Sequence, residues 1–238
     1  MNRVGSVVRM HLSRLFNSVA MPVILSVGVV AAMVLVVFAV NAAGVDTRSE
    51  AFADGMSTNG GITFTLLGFL IALGVQSATA CFAFATSLGV TRRHYVAGTA
   101  VYFVIQTLLV TALLSVLLVL EKVTDHWFIG VRALDVVTLG SGDWGRFLVI
   151  VSLGVLMCLS LGALFGASWL RFGTRGPLII AAVVVLVLAV GMFIAIPRFA
   201  EIMAALTFAV VPVAFLAVTA LALLGAAAFL NRASVRGN

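Results

Sequence analysis

The 238-residue chain is 63% hydrophobic and only 9% charged, whereas soluble domains carry about a quarter charged residues. With a mean hydropathy of +1.26 it has too little polar surface to stay in water, which excludes a soluble enzyme and leaves no sign of a second domain. The formal net charge of +6 raises nucleic acid as a partner, an option that the placement of the charges removes below.

Residues 1–18 come first. Val4, Val7, Val8, Leu12, Leu15, Phe16 and Val19 recur at helical spacing, with Arg3, Ser6, Ser13, Arg14 and Asn17 largely elsewhere on the wheel. This is the pattern of a basic amphipathic helix lying in the membrane interface; the plainer alternative is a polar lead-in to the first span. Six apolar stretches follow, at approximately 19–41, 61–86, 95–120, 145–170, 177–197 and 213–230. Each approaches the roughly 20 residues needed to cross a hydrocarbon core of about 30 Å. Irregular backbone cannot face lipid, so each is expected to be a helix, and the alternating pattern of a membrane barrel is absent. The expected fold is therefore an all-α integral membrane protein of six spans in one transmembrane domain, 1–238. Arg3, Arg9 and Arg14 before the first stretch, and Val40-Asn41-Ala42 after it, imitate a secretory signal. The apolar run exceeds the 7–15 residues, roughly, of a signal core, so it reads as a retained span.

The last apolar stretch, Phe199 to Leu230, would extend about 48 Å as one helix, too long for a simple crossing. Pro197 ends the fifth span and Pro212 interrupts the sixth. A short re-entrant or outer-leaflet helix near 200–210 resolves the excess, with a tilted or kinked single helix as the alternative. Tight turns are expected at 87–94 and 171–176. In the second, Gly173, Gly176 and Pro177 stop one helix and start the next. The loop at 121–144 contains Trp127 and Trp144, suited to the headgroup layer.

Charge sets the orientation. With the N-terminus inside, the inner segments hold Arg3, Arg9, Arg14, Arg92, Arg93, Arg171, Arg175, Arg232 and Arg236 and no acid. The outer segments hold Arg48, Lys122, Arg132, Arg146 and Arg198 with all eight acids: Asp46, Glu50, Asp54, Glu121, Asp125, Asp135, Asp143 and Glu201. Nine basic residues inside against five outside predicts both termini in the cytoplasm of a multi-pass plasma-membrane protein. The basic excess is thus topological, lipid is the surrounding partner, and no nucleic acid is expected.

Cys81 and Cys158 lie in apolar runs and read as small packed hydrophobes. His11, His94 and His126 are read as scattered over separate loops without ligand spacing, so no metal site is expected. No catalytic constellation is visible, and no ionisable residue is expected deep in a span, which argues against a proton-coupled pump. A phosphate-binding loop of the Walker type needs a lysine after its glycines. The only lysine, Lys122, follows Leu120-Glu121, so no cofactor is expected in this chain. Gln76 with Thr79, and Gln106 with Thr99 and Thr107, are the deepest polar groups. They read either as a polar wall along a substrate path or as hydrogen-bonding glue between helices. Gly162 and Gly166 form a GxxxG in the fourth span, a pattern for close helix packing.

The segment Ser87-Leu88-Gly89-Val90-Thr91-Arg92-Arg93-His94-Tyr95-Val96-Ala97-Gly98-Thr99 satisfies the inside rule as a basic turn. It also resembles the first cytoplasmic loop of type-2 ABC transporter permeases. Arg171-Phe172-Gly173-Thr174-Arg175-Gly176 is similar to a turn of short actinobacterial members. The six-span layout resembles that family over the whole chain, although the outer segment between spans five and six is short for it. The resemblance implies a half-transporter without its own ATP site. It would pair with a second permease copy or a paralogue, and dock on an ABC ATPase subunit that binds Mg-ATP. It also implies that a short coupling helix falls on Gly89, Val90, Thr91, Arg92, Arg93, His94 and Tyr95. The rival readings are a non-transporting or immunity-type membrane partner and a secondary transporter.

Overall fold

A computed structural model of the chain describes residues 3–13, 16–196 and 210–232. Among these the regular elements are helices, numbered here α1 (Arg3–Leu12), α2 (Met21–Ala42), α3 (Glu50–Ser57), α4 (Gly61–Ala78), α5 (Ala80–Ser87), α6 (Arg92–Val123), α7 (Trp144–Phe172), α8 (Arg175–Ala195) and α9 (Val210–Arg232). Six helical stretches are long and apolar enough to cross a membrane: Phe16–Ala42, Glu50–Ser87, Arg92–Val123, Trp144–Phe172, Arg175–Ile194 and Val210–Arg232. The chain is a multi-pass membrane protein. Its surface carries large apolar side chains that water would not favour, such as Phe64 and Phe193 at 74% and 80% exposure. The element expected near 200–210 lies outside the described residues.

Two features of these stretches differ from the expected uniform spans. The second is broken at Thr79, where φ −107° and ψ −88° separate α4 from α5. The hydroxyls of Ser77 and Thr79 donate back to the carbonyls of Leu73 and Val75 at 3.0 and 2.8 Å. Such back-bonding competes with the backbone ladder and bends helices. Before α2, Phe16–Ala20 form a wide π-type turn. That turn shifts the register, so Phe16 and Val19 are exposed rather than continuing the apolar face of α1. The segment 42–60, expected as loop, contains α3, capped by the Ser49 hydroxyl accepting from the Phe52 N–H at 3.4 Å.

The chain forms two compact units. The first comprises Met1–Val8, Ile71–Ala100 and Met157–Asn238; the second comprises Arg9–Leu70 and Val101–Leu156. In the first, the GxxxG of α7 meets α4 backbone to backbone. A Cβ on Gly162 would lie 2.1 Å from the Ile71 carbonyl oxygen, and one on Gly74 2.3 Å from that of Leu159. Only glycine permits this approach. Leu164 of α7 reaches Gly225 of α9, and Ala222, Ala226 and Leu230 form the buried face of α9. In the same unit Val7 of α1 is 1% exposed and fills the space above Gly98. The apolar face of α1 is thus covered by protein at this point. The α7–α8 turn is tight, as expected: Gly173 has φ +64° and Gly176 lies against the Ser168 backbone. Beyond Gly176, none of the α8 residues whose burial is described is buried.

In the second unit α2 buries only a narrow ridge, Pro22, Ser26, Val30 and Val37. The core is completed by Ile62, Leu66, Tyr102, Phe103, Val110, Leu114, Leu118, Phe147 and the loop residues Val131, Ala133, Leu134 and Val136. Backbone meets backbone again at Gly130, whose φ of +83° and missing side chain admit the Thr47 carbonyl. Arg48 Nη2 donates to the Phe128 carbonyl at 2.8 Å. The intervening Asp125, His126, Trp127 and Phe128 all have positive φ, 48° to 64°, a left-handed turn of four non-glycine residues and a strained one.

Candidate functional site

Among the sequence-marked positions, the turn at Gly89–Tyr95 is built most tightly. Ser87 ends α5, and a Schellman arrangement closes the helix. The Gly89 N–H donates to the Thr86 carbonyl at 3.0 Å and the Val90 N–H to that of Ala85 at 3.1 Å. Gly89 sits at φ +77° with open space around its α-carbon, so its requirement is conformational and not steric. Thr91 then starts α6, its hydroxyl 2.5 Å from His94 Nδ1. Arg92 through Tyr95 form the first turn of α6. No separate helix lies between α5 and α6, which departs from the coupling helix that the resemblance implies. The Schellman closure and the Thr91 cap bring the two helix ends too close together to leave residues for one.

The turn is fixed from beneath and open above. Tyr95 is fully buried; its hydroxyl donates to the Ser77 carbonyl, and its ring meets Phe82 edge-on at 5.2 Å. Arg92 is half-buried and donates from Nη1 to the Asn231 carbonyl at the end of α9, 2.8 Å. Gly89, Arg93 and His94 are exposed. Thr91, Arg92, Arg93, His94 and Asn231 line an open depression of about 550 Å³.

The amide positions differ from one another. Gln76 is exposed on α4 in the first unit, and Thr79 is half-buried. Gln106 of the second unit is fully buried on α6; Thr107, and Thr99 in the first unit's part of that helix, are buried less completely. The Gln106 amide has an identifiable task. Pro22 has no N–H to offer the carbonyl four residues before it, that of Ser18. Gln106 Nε2 donates to that carbonyl at 2.8 Å, as a freed backbone group in a membrane helix requires. The Ser18 hydroxyl donates to the His11 carbonyl at 3.3 Å and shares a 3.1 Å hydrogen bond with Tyr102. His11 is not on a loop as read from the sequence: it is buried on α1, stacked on Tyr102 at 4.5 Å.

Glu121 needs a larger correction. The charge pattern of the sequence places it with the outer-loop acids, yet it lies in the last turn of α6 and is fully buried. Its carboxylate accepts from the N–H groups of Ala133, Leu134 and Asp135 at 3.1, 2.9 and 3.0 Å. Its neighbourhood is a network: His126 Nε2 lies 3.2 Å from Asp135 Oδ2. Lys122 Nζ donates to the Gly142 carbonyl at 2.6 Å and stands 5.6 Å from the Trp144 ring centroid. The partners follow twelve or more residues later in irregular backbone, so no local spacing in the sequence marks them. Three N–H donors fill three of the roughly four acceptor positions of the carboxylate, which makes it a fastener for the 131–136 segment. Among the described residues no group of three or more His, Cys, Asp or Glu is placed to hold a metal ion.

Comparison with family models, with curated proteins and with solved structures finds no match.

Proposed function

We propose that the chain is the permease subunit of an ABC exporter, acting in the plasma membrane with both termini in the cytoplasm. It would pair with a second copy or a paralogue, and Mg-ATP would be bound by a separate ATPase subunit. The observation that carries this reading is the Gly89–Tyr95 turn. Buried Tyr95 anchors it, helix-ending hydrogen bonds close one side, and Arg93 and His94 are exposed above. A surface loop that must pass force between subunits needs that combination of a rigid base and exposed contact groups. The resemblance of residues 87–99 and 171–176 supports the same assignment. This chain offers ATP no phosphate loop: its sole lysine is engaged with the Gly142 carbonyl.

The test is co-purification with the ATPase subunit, followed by measurement of substrate-stimulated hydrolysis. Arg92→Lys with Arg93→Lys keeps the charge but loses the planar fork that engages carboxylates. It is expected to insert normally and lose part of the stimulated hydrolysis. Gly89→Val places a β-branched residue at φ +77° and is expected to weaken ATPase binding. Unchanged binding and hydrolysis in both variants would leave the turn a topological anchor and remove the assignment. The second reading, a membrane partner that transports nothing, is favoured by the glycine seam of α4 and α7, which leaves no space between those backbones. Binding without any stimulated hydrolysis in the unaltered protein would select it.

A further inference from the structure

Arginines collect at the ends of three helices of the first unit, and no carboxylate among the described residues meets them. Arg171, half-buried at the end of α7, lies with its guanidinium 4.9 Å from the ring centroid of Phe172 and 5.6 Å from that of Phe229 on α9. The two rings are themselves edge-to-face at 5.4 Å. Two residues beyond Phe229, the Asn231 carbonyl receives Arg92, and Arg232 follows it. The depression lined by Thr91, Arg92, Arg93, His94 and Asn231 opens here, and its volume of about 550 Å³ lies within the usual range of small-molecule pockets, about 300–1,000 Å³. The described residues of this unit contain no Asp or Glu.

We propose that the ends of α6, α7 and α9 bind the headgroup phosphate of an anionic glycerophospholipid. The ring contacts hold the Arg171 guanidinium beside the Phe172–Phe229 pair and leave its N–H groups, which make no hydrogen bond to any described residue, for two phosphate oxygens. An arginine that served only topology would extend into water, not settle against a pair of phenyl rings. Exposed Trp169 and Phe172, at 51% and 49%, stand in sequence beside Arg171. An indole there marks the headgroup level, and the apolar surface suits acyl chains and not a free anion. The site shares Arg92 and Arg93 with the turn proposed to meet the ATPase, but lipid binding needs neither the ATPase nor a second permease and is read without them.

The test uses the full chain in detergent, with native mass spectrometry counting adducts of dioleoylphosphatidylglycerol, of dioleoylphosphatidylcholine and of inorganic phosphate. The unaltered protein is expected to retain the glycerol lipid over the choline lipid. Arg171→Gln and Arg92→Gln should each weaken that retention about fivefold, the factor for one arginine near an anionic surface. Arg171→Lys, which keeps charge but stacks and forks poorly, should fall between. Arg9→Gln, exposed on α1, removes the same charge elsewhere and should change nothing. Where thermal unfolding shows that Arg171→Gln has lost its fold, Arg232→Gln at the exposed helix end carries the comparison. Equal loss in Arg9→Gln, or equal retention of the two lipids, overturns the proposal. So does displacement of the lipid by equimolar inorganic phosphate, which would assign the arginines to a free anion.

Discussion

At the scale of single residues, Gln106 and Pro22 form a compensating pair although 84 positions separate them. Gln106→Leu leaves the Ser18 carbonyl without a donor inside an apolar core, a loss of about 1–3 kcal/mol. The change also removes the Gln106 Oε1 acceptor, which has no partner among the described residues. The net cost should therefore fall near the lower end. Adding Pro22→Ala restores a backbone N–H to the Ser18 carbonyl, and the double variant should recover part of the loss. A thermal double-mutant cycle measures this, and strict additivity would disprove the pairing. Glu121→Gln keeps one accepting oxygen but turns an NH₂ toward a backbone donor. It should cost about 2 kcal/mol or more, read as a lower melting temperature and earlier proteolysis of the 131–139 segment. Neither role was legible in the sequence. A polar residue in a span is conspicuous, but its partner is set by where two distant segments meet.

At the scale of elements, the spans were legible because each one is a long apolar run, and length in lipid leaves the backbone only one solution. What interrupts the runs was not. The break at Thr79 depends on hydroxyls choosing carbonyls over solvent, and the π-type turn at Phe16–Ala20 hides among residues with good helical spacing. The α5–α6 turn falls between these cases: its glycine and basic residues were visible, whereas its closure without an intervening helix was not. Gly89→Ala has the space it needs but not the backbone, so it should destabilise the turn by about 1 kcal/mol without disturbing insertion. The left-handed turn makes the opposite expectation. Asp125 is exposed at φ 48°, and Asp125→Gly relieves that residue's strain. It should be neutral or raise stability by up to about 1 kcal/mol, in contrast to the usual cost of glycine. A clear drop in melting temperature would show that the Asp125 side chain, 3.5 Å from His126 Nδ1, outweighs the backbone term.

At the scale of the whole molecule, seven of the eight acids fall in the second unit, the eighth being Glu201. Combined with the arginine count, this predicts that 42–60 and 121–144 face outward. Cys81 and Cys158 are buried, so engineered thiols should report against low background. Ser49→Cys and Ser141→Cys are expected to react with an impermeant maleimide in intact cells and Thr91→Cys only after lysis; the reverse would invert the topology. The glycine seam bears on the chain's tolerance to mutation. Every single-nucleotide missense change in a glycine codon adds at least a β-carbon. At Gly74 and Gly162 that carbon lands on a carbonyl of the facing helix, whereas at Gly28, Gly68 and Gly191 nothing lies within 4 Å. A library of random variants selected for folded, inserted protein should therefore sort these five helical glycines into two classes that hydropathy cannot distinguish. Positions 74 and 162 should be nearly empty of survivors while 28, 68 and 191 accept uncharged replacements, and the α4–α7 contact would be recoverable from the survival counts alone.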